Sequence, residues 1–314
     1  MSSPIFSRPR ALQHGGTIGI FSPAGALSLE RVNAGVATLQ SLGFRTVVAP
    51  EICHEWRYFA GTDDERIASF HAMLADPKID AMMMSRGGYG FSRLLHRIDW
   101  QAVANSQKVF CGFSDFTAFN LAALAQARLI TFAGPGSSTD FDWRNDTPEI
   151  ASDHAFMSEH CWPVLQGESM QTKPFISEHT YASQTISGPL WGSNLSLLTH
   201  LVGSPYLPDI EGGILFIEEI DEEPYAIERQ FYQLFHAGIL QKQKALILAD
   251  FTSCEPTSGR FAYTMAHVTE TLRELLPYPV LTGLPFGHVA KKLTLPCGGQ
   301  AALSITSGQF SLTY

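Results

Sequence analysis

Short apolar runs alternate with segments of helical periodicity along the first 135 residues of the chain. The predicted strands lie in residues 17–25, 45–49, 81–84 and 109–112. The predicted helices cover residues 28–42, 63–74 and 115–126. Because strands that alternate with helices form parallel sheets covered by helices on both faces, we predict an α/β domain for residues 1–135.

The amino-acid composition of the chain changes after residue 135. Residues 136–183 are rich in Ser, Thr, Asp, Glu and Pro and contain one predicted helix near residues 148–159, so we predict a linker region there. A second domain, β-rich and of α/β type, is predicted for residues 184–314, because the last 25 residues alternate like short antiparallel strands. Its helices are predicted over residues 194–201, 225–235 and 262–276, and its strands over 213–217, 244–248 and 280–282.

Charge and cysteine usage limit the partners and the compartment. The net charge is -9 and no basic run occurs, so nucleic acid is not expected as a partner. The five cysteines form no CxxC pair, which argues against a disulfide framework or a zinc site and is typical of a reducing compartment. The N-terminal residues have no apolar signal core, and no apolar stretch is long enough to span a membrane. We therefore expect a cytoplasmic protein without a membrane partner.

The segment CGFSDFTAFN, residues 111–120, is the first candidate for chemistry. An apolar strand is predicted to end at Gly112, and a helix to begin directly after Ser114. A serine at such a turn projects its hydroxyl away from the sheet, beside helix N–H groups that can hold an oxyanion. The match to GxSxG is incomplete, since Phe116 replaces the second glycine. The alternative is a simple N-cap with Thr117 in the first turn, which this segment alone favours.

The segment SRGGYG follows another predicted strand directly. Its adjacent glycines, Gly87 and Gly88, let the backbone approach a ligand closely. An amide of this pair can supply a second oxyanion donor beside the amide of Asp115, although a tight turn is the alternative. Neither GxxxxGK[ST] nor GxGxxG is present, so no phosphate-binding loop is expected.

A general base and its orienting acid have candidates in the second domain. His288 ends GLPFGH, a loop tightened by glycine and proline, and loops at strand ends often carry catalytic groups. Glu218 follows the apolar run GILFI, whereas the later acids of FIEEIDEE are expected in a loop or at a helix N-terminus. A structural histidine and solvated acids remain equal alternatives. HExxH and EF-hand patterns are absent, so no metal is expected, and Cys111 is predicted to be buried and inert.

Taken together, these segments resemble the LD-carboxypeptidase family over nearly the whole chain. They occur in the family's order and several are long. The segments are FAGTDDER (59–66), RGGYGFSRLL (86–95), CGFSDFTA (111–118), TFAGP (131–135), LWGSNLSLL (190–198), GSPYLP (203–208), GILFIEEIDEEPYAIERQFYQLFHAGIL (213–240) and GLPFGHVAKKLTLPCG (283–298).

The resemblance implies a catalytic triad split between two domains. A Rossmann-like N-terminal domain would carry the nucleophile Ser114, and a smaller β-rich domain would carry Glu218 and His288. The backbone amides of Gly88 and Asp115 would form the oxyanion hole. The candidates for substrate contacts are Arg86, which is either the cation for the terminal carboxylate or a structural residue, and Trp191 and Asn194.

Two positions depart from the family pattern. Glu219 stands where Asp is common after the catalytic Glu, and Ser193 stands where Gly is usual in LWGGN. Neither position belongs to the expected triad, but Ser193 bears on the local backbone.

The implied activity is a cofactor-free serine hydrolysis that releases terminal D-alanine from murein tetrapeptides in cell-wall recycling, by a protein that is expected to be a homodimer. Two alternatives stay open. One is an immunity-type peptidase of the same family that cleaves peptidyl-nucleotide antibiotics. The other is a non-catalytic module that binds muropeptides.

Overall fold

The computed structural model describes residues 6–144, 147–256 and 263–314. Residues 1–5 of the predicted first domain, 145–146 of the predicted linker and 257–262 of the predicted second domain lie outside the described residues, and residue 262 is also the first of the last predicted helix. In the first half of the chain the elements are β1 Thr17–Phe21, α1 Leu29–Ser41, β2 Arg45–Val48, β3 Glu55–Trp56, β4 Phe59–Ala60, α2 Asp63–Ala75, β5 Ala81–Met84, α3 Trp100–Ser106, β6 Val109–Cys111, α4 Thr117–Ala122 and β7 Thr131–Ala133. In the second half they are α5 Pro148–Leu165, β8 Phe175–Ile176, β9 Gln184–Asn194, α6 Leu195–His200, β10 Ile214–Ile220, α7 Pro224–His236, β11 Ala245–Thr252, α8 Met265–Leu275, β12 Val280–Thr282, β13 Leu295–Cys297, β14 Gln300–Thr306 and β15 Gln309–Thr313.

The first sheet has the strand order β13-β7-β6-β5-β1-β2. All neighbours from β7 to β2 are parallel, which confirms the predicted α/β fold of the N-terminal region. The chain leaves the carboxyl ends of the adjacent strands β5 and β6 at Ser85 and Gly112. In open parallel sheets, ligands bind outside these ends, so this edge positions the site.

The second sheet has the order β12-β11-β10-β9-β14-β15-β8. Strands β9 to β12 are parallel, and β14, β15 and β8 add an antiparallel half, as the alternation of the last residues predicts. The predicted β-rich α/β character of this region is therefore confirmed. None of the described helices is long and apolar enough to cross a membrane.

Each sheet includes a strand from outside the region of the chain that forms the rest of it, which local sequence patterns do not reveal. β13 returns from the C-terminal region and pairs antiparallel with β7 of the first sheet. Within residues 136–183, β8 joins the second sheet. In the same segment, the helix α5 packs on the N-terminal region, where the backbone N–H of Leu12 donates to the carbonyl of Leu165 at 2.9 Å. The pairing of β13 with β7 therefore joins the C-terminal region directly to the first sheet.

Local capping accounts for the agreement between predicted and observed helix limits. The side chain of Ser28 accepts from the amide of Arg31 at the start of α1. Thr62 and Glu65 form a reciprocal capping box at the start of α2, which satisfies two amides that the helix leaves unpaired. The short helix α3 and the hairpin β3–β4 were not predicted, because seven and two residues are too few to show a clear periodicity of apolar residues.

Candidate active site

Ser114 lies in a strained turn between β6 and α4. Its φ is +60°, a value that non-glycine residues seldom adopt and that is frequent at catalytic sites. A Cβ atom at Gly112 would lie 2.7 Å from the Phe116 ring, so glycine is required just before the turn. The N-cap alternative for Ser114 is wrong, because the cap of the following 3-10 turn is Phe113 and no side-chain capping bond is made.

Ser114, His288 and Glu218 form one chain of hydrogen bonds across the two domains. The Ser114 Oγ atom lies 3.0 Å from His288 Nε2. His288 Nδ1 lies 2.8 Å from Glu218 Oε2. A carboxylate can only accept, so Nδ1 carries the proton and Nε2 is left free to accept from the serine hydroxyl. The arrangement is that of a general base aligned by a buried acid.

Glu218 is held by a distortion of its strand. The register between β10 and β11 shifts between Ile217 and Glu219, and such bulges redirect side chains. Gly287 packs directly over this position, because a Cβ there would come within 3.2 Å of the Glu218 Cβ. Glu218 is fully buried, and its Oε1 atom has no hydrogen-bond partner among the described residues. Among the residues that the structure describes, only His288 therefore forms a hydrogen bond with this carboxylate.

Among the described residues, two backbone amides near Ser114 have no hydrogen-bond acceptor. Gly87 abuts Ser114 so closely that a Cβ would be 2.8 Å from the serine Oγ and 3.6 Å from the amide nitrogen of Asp115. Gly88 follows with a φ of +117°. In the described part of the chain, the amides of Gly88 and Asp115 donate no hydrogen bond. Free, preoriented amides next to a nucleophile can stabilise a developing oxyanion.

A cleft of about 600 Å³ opens over the triad, a size common for small-ligand sites. Arg86 lies on its wall, and within the described part of the chain its guanidinium donates only to the carbonyls of Gly87 and Ala26, both at 3.3 Å. The residues that line the cleft are Arg31, Arg86, Gly87, Gly88, Phe113, Ser114, Thr139, Asp140, Ile220, Asp221, His288, Val289, Ala290 and Lys292.

Trp191 and Asn194, the other two candidates for substrate contacts, are buried and are not among these lining residues. Trp191 is 1% exposed, and its indole N–H donates to Gln243 at 2.9 Å. Asn194 is also buried, caps α6 and donates its backbone N–H to Thr117 Oγ1 at 3.2 Å. The indole N–H of Trp191 and the backbone N–H of Asn194 are therefore engaged inside the protein.

Glu219 also differs from its expected position in a loop. It is a buried residue of β10 and accepts hydrogen bonds from the Asn194 side chain and the Ser196 amide, at 2.9 and 2.8 Å. Burial raises the pKa of its carboxyl. The hydrogen bonds of this carboxyl group therefore hold the start of α6.

An ion pair at the cleft was missed by sequence reasoning. Lys292 is buried, and its Nζ lies 2.5 Å from Asp140 Oδ1 and 3.9 Å from the centroid of the Phe113 ring. That ring packs against the His288 imidazole at 5.0 Å. The pairing joins segments 152 positions apart, so no local pattern could have indicated it.

Other parts of the molecule offer weaker chemistry. A larger groove of about 1330 Å³ on the second sheet is lined by residues such as Glu178, Lys244 and Arg273, and by no member of the triad. A hydrogen bond with Cys161 and burial raise the pKa of the Cys111 thiol, which agrees with its predicted inertness. No three potential metal ligands cluster within the described ranges.

The fold and the site define a serine hydrolase of the α/β class. The chain belongs to the LD-carboxypeptidase family, whose N-terminal domain matches residues 18–134 and whose C-terminal domain matches residues 187–303. It is accordingly a carboxypeptidase, as the resemblance implies.

Three relatives show the breadth of this family. A probable murein peptide carboxypeptidase of Bacillus subtilis is 31% identical over 297 residues, which cover 95% of this chain and 91% of that protein. The crystal structure of a muramoyltetrapeptide carboxypeptidase from Oxalobacter formigenes superposes with a TM-score of 0.86 at 35% identity, over 95% of this chain and 98% of that one. The microcin C7 self-immunity protein MccF of Escherichia coli is 28% identical over 338 residues, 99% of this chain and 96% of that protein. Its structure with aspartyl sulfamoyl adenosine also gives a TM-score of 0.86.

Proposed function

We propose that this protein releases the terminal D-alanine from murein tetrapeptides, with Ser114 as the nucleophile, His288 as the general base and Glu218 as the orienting acid. The observation that carries the proposal is the hydrogen-bond chain of 3.0 and 2.8 Å through the imidazole. The substrate class is supported by the relatives named for murein peptides, one of which is 35% identical.

The proposed reaction is a serine acyl transfer. His288 Nε2 takes the hydroxyl proton while Ser114 Oγ attacks the carbonyl carbon of the residue before D-alanine. The amides of Gly88 and Asp115 hold the oxyanion. His288 then gives its proton to the D-alanine nitrogen as the C–N bond breaks. Water attacks the acyl-enzyme with the same base, which frees the tripeptide and restores the serine.

A carboxypeptidase must also bind a terminal carboxylate, and we propose Arg86 for this role. The guanidinium lines the cleft beside Gly87 and Gly88 and forms no ion pair with any described residue. An unpaired cation next to the scissile bond suits the leaving D-alanine. Arg86→Lys keeps the charge but loses the planar fork, so the KM for tetrapeptide should rise about tenfold with kcat little changed.

The proposal extends to the compartment and the assembly. Five free thiols, four of them buried, support a reducing environment such as the cytoplasm. The homodimer rests on the family resemblance. Light scattering on the purified chain, at two concentrations, measures the mass directly and would show a monomer if this part is wrong.

The test is release of D-alanine from murein tetrapeptide, followed by mass spectrometry of the tripeptide. Ser114→Ala should lower kcat by roughly 10³-fold or more, with its circular dichroism spectrum unchanged. Ser41→Ala, at the C-terminal end of α1, is the matched serine control and should keep full activity. Near-normal turnover by Ser114→Ala would refute the assignment.

Two further arms separate the alternatives. Aspartyl sulfamoyl adenosine, the ligand in one MccF structure, should be a poor substrate if murein peptides are the natural ones. A fluorophosphonate probe should label Ser114 in the unmodified enzyme and not in His288→Ala. Tetrapeptide binding without labelling would indicate a binding module instead of an enzyme.

A further inference from the structure

Asp115, the residue after the nucleophile, has a side chain that the reaction scheme leaves unused. It is 0% exposed, and both of its carboxylate oxygens accept backbone hydrogen bonds from the loop that follows β5. Oδ1 accepts from the amide of Gly90 at 3.1 Å, and Oδ2 accepts from the amide of Phe91 at 2.8 Å. A buried carboxylate is thus committed to one short stretch of backbone.

Arg66 braces the same loop from α2. This guanidinium is 2% exposed and donates to the carbonyl of Gly90 at 3.4 Å, as well as to the carbonyl of Pro23 and to Asp63. Burial raises the pKa of Asp115 to about 6, while the two amide bonds and the positive charge of Arg66 oppose this rise. At neutral pH the carboxylate form, which can accept both bonds, therefore predominates.

The loop after β5, which Asp115 and Arg66 hold, also contains Gly88, whose amide is a proposed oxyanion donor. Gly88 and Gly90 have φ values of +117° and +157°, and glycine-rich backbone of this kind has many accessible conformations. The loop lies against the nucleophile, since a Cβ at Gly87 would be 2.8 Å from Ser114 Oγ. A shift of about 1 Å at such a site is enough to lower a rate by 10²-fold.

We propose that the Asp115 side chain is a positioning residue that holds the Gly88 amide at the correct distance from the Asp115 amide. One residue would then supply one oxyanion donor through its backbone and hold the other through its side chain. This inference rests on the proposed function, because it assigns a cause for the spacing of that oxyanion hole.

The decisive variant is Asp115→Asn, which has nearly the same shape. Its amide offers one acceptor oxygen but turns an N–H donor towards the second backbone N–H, so one end of the loop is released. The expected result is a fall in kcat of about 10²-fold with KM within threefold, since loss of an oxyanion donor acts on the transition state. Asp115→Glu keeps two acceptor oxygens and should recover at least about tenfold of this loss.

Asp80 provides a matched control at the opposite end of β5. Its Oδ2 atom accepts from the backbone amide of Thr17 at 2.8 Å, so Asp80→Asn makes the same substitution at an aspartate that holds backbone away from the cleft, where the one acceptor oxygen of Asn is sufficient. This variant should keep kcat and KM. Circular dichroism and thermal unfolding of each protein confirm that folded molecules are compared.

Three results would overturn the inference: kcat of Asp115→Asn within threefold of the unmodified enzyme, equal loss in the Asn and Glu variants, or equal loss in Asp80→Asn. If Asp115→Asn does not fold, Arg66→Lys removes the bond to Gly90 and should lower kcat at least fivefold at constant KM, and an unchanged kcat overturns the inference. Failure of the proposed function looks different, because Ser114→Ala would then keep its turnover.

Discussion

Ser193 should lower the stability of the folded protein. The residue lies near the end of β9, is fully buried and has a φ of +113°, a region that favours glycine. Its hydroxyl is buried without a hydrogen-bond partner among the described residues. Family members commonly carry glycine here, as the resemblance to LWGGN implies. We therefore predict that Ser193→Gly stabilises the protein.

The magnitude follows from opposing contributions. Relief of the strained backbone is worth about 1–3 kcal/mol, and removal of an unpaired buried hydroxyl about 1–3 kcal/mol. Against these, glycine costs about 0.5–1 kcal/mol in unfolded-state entropy, and the lost side-chain packing costs about 1 kcal/mol. A net gain of about 2 kcal/mol should raise Tm by about 3 °C in a chain of this length.

Urea denaturation followed by circular dichroism measures the change in the free energy of unfolding. Ser187→Gly is the matched control, because Ser187 is exposed on the same strand and its φ is not positive. It should lose about 0.5–1 kcal/mol, as glycine usually does in strands. If Ser193→Gly is destabilised as much as this control, the argument from strain and from the unpaired hydroxyl is refuted.

Three other predictions concern the site. Gly87→Ala should lower kcat at least about 10²-fold, because the added methyl would meet Ser114 Oγ at 2.8 Å, and unchanged turnover of tetrapeptide would contradict the close approach. Glu218→Gln should lose about 10³–10⁴-fold in kcat while Tm holds or rises, since a buried carboxylate oxygen without a partner becomes neutral; a clear drop in Tm would count against this. The pKa of Asp115 is raised to about 6, above the unfolded value of about 3.9, so its stabilising contribution is complete below about pH 4 and lost as the pH rises through 6. Urea unfolding from pH 4 to 7 should thus show the unmodified protein losing up to about 3 kcal/mol relative to Asp115→Asn, and a gain would refute the sign.

Much of the fold could be predicted because its signals are local. The predicted helix over 28–42 and the observed α1, Leu29–Ser41, agree since Ser28 caps the first turn. The strand over 280–282 was predicted at its observed bounds, Val280–Thr282. In contrast, β10 extends to Ile220 past the predicted end at 217, because Glu218 and Glu219 are buried acids whose burial depends on distant partners. Hydropathy within one segment cannot report such partners.

The sequence by itself determined which residues could perform the chemistry, through short motifs at predicted strand ends and a resemblance over nearly the whole chain. It could not choose between an N-cap and a nucleophile at Ser114, because both begin with a serine at a strand-to-helix turn. The tertiary structure excludes the cap, since Phe113 precedes the 3-10 turn and no side-chain capping bond is made, and it brings His288 Nε2, 174 positions away, to 3.0 Å from Ser114 Oγ. It also leaves Trp191 and Asn194 outside the residues that line the cleft, because burial is a property of the folded chain and not of any motif.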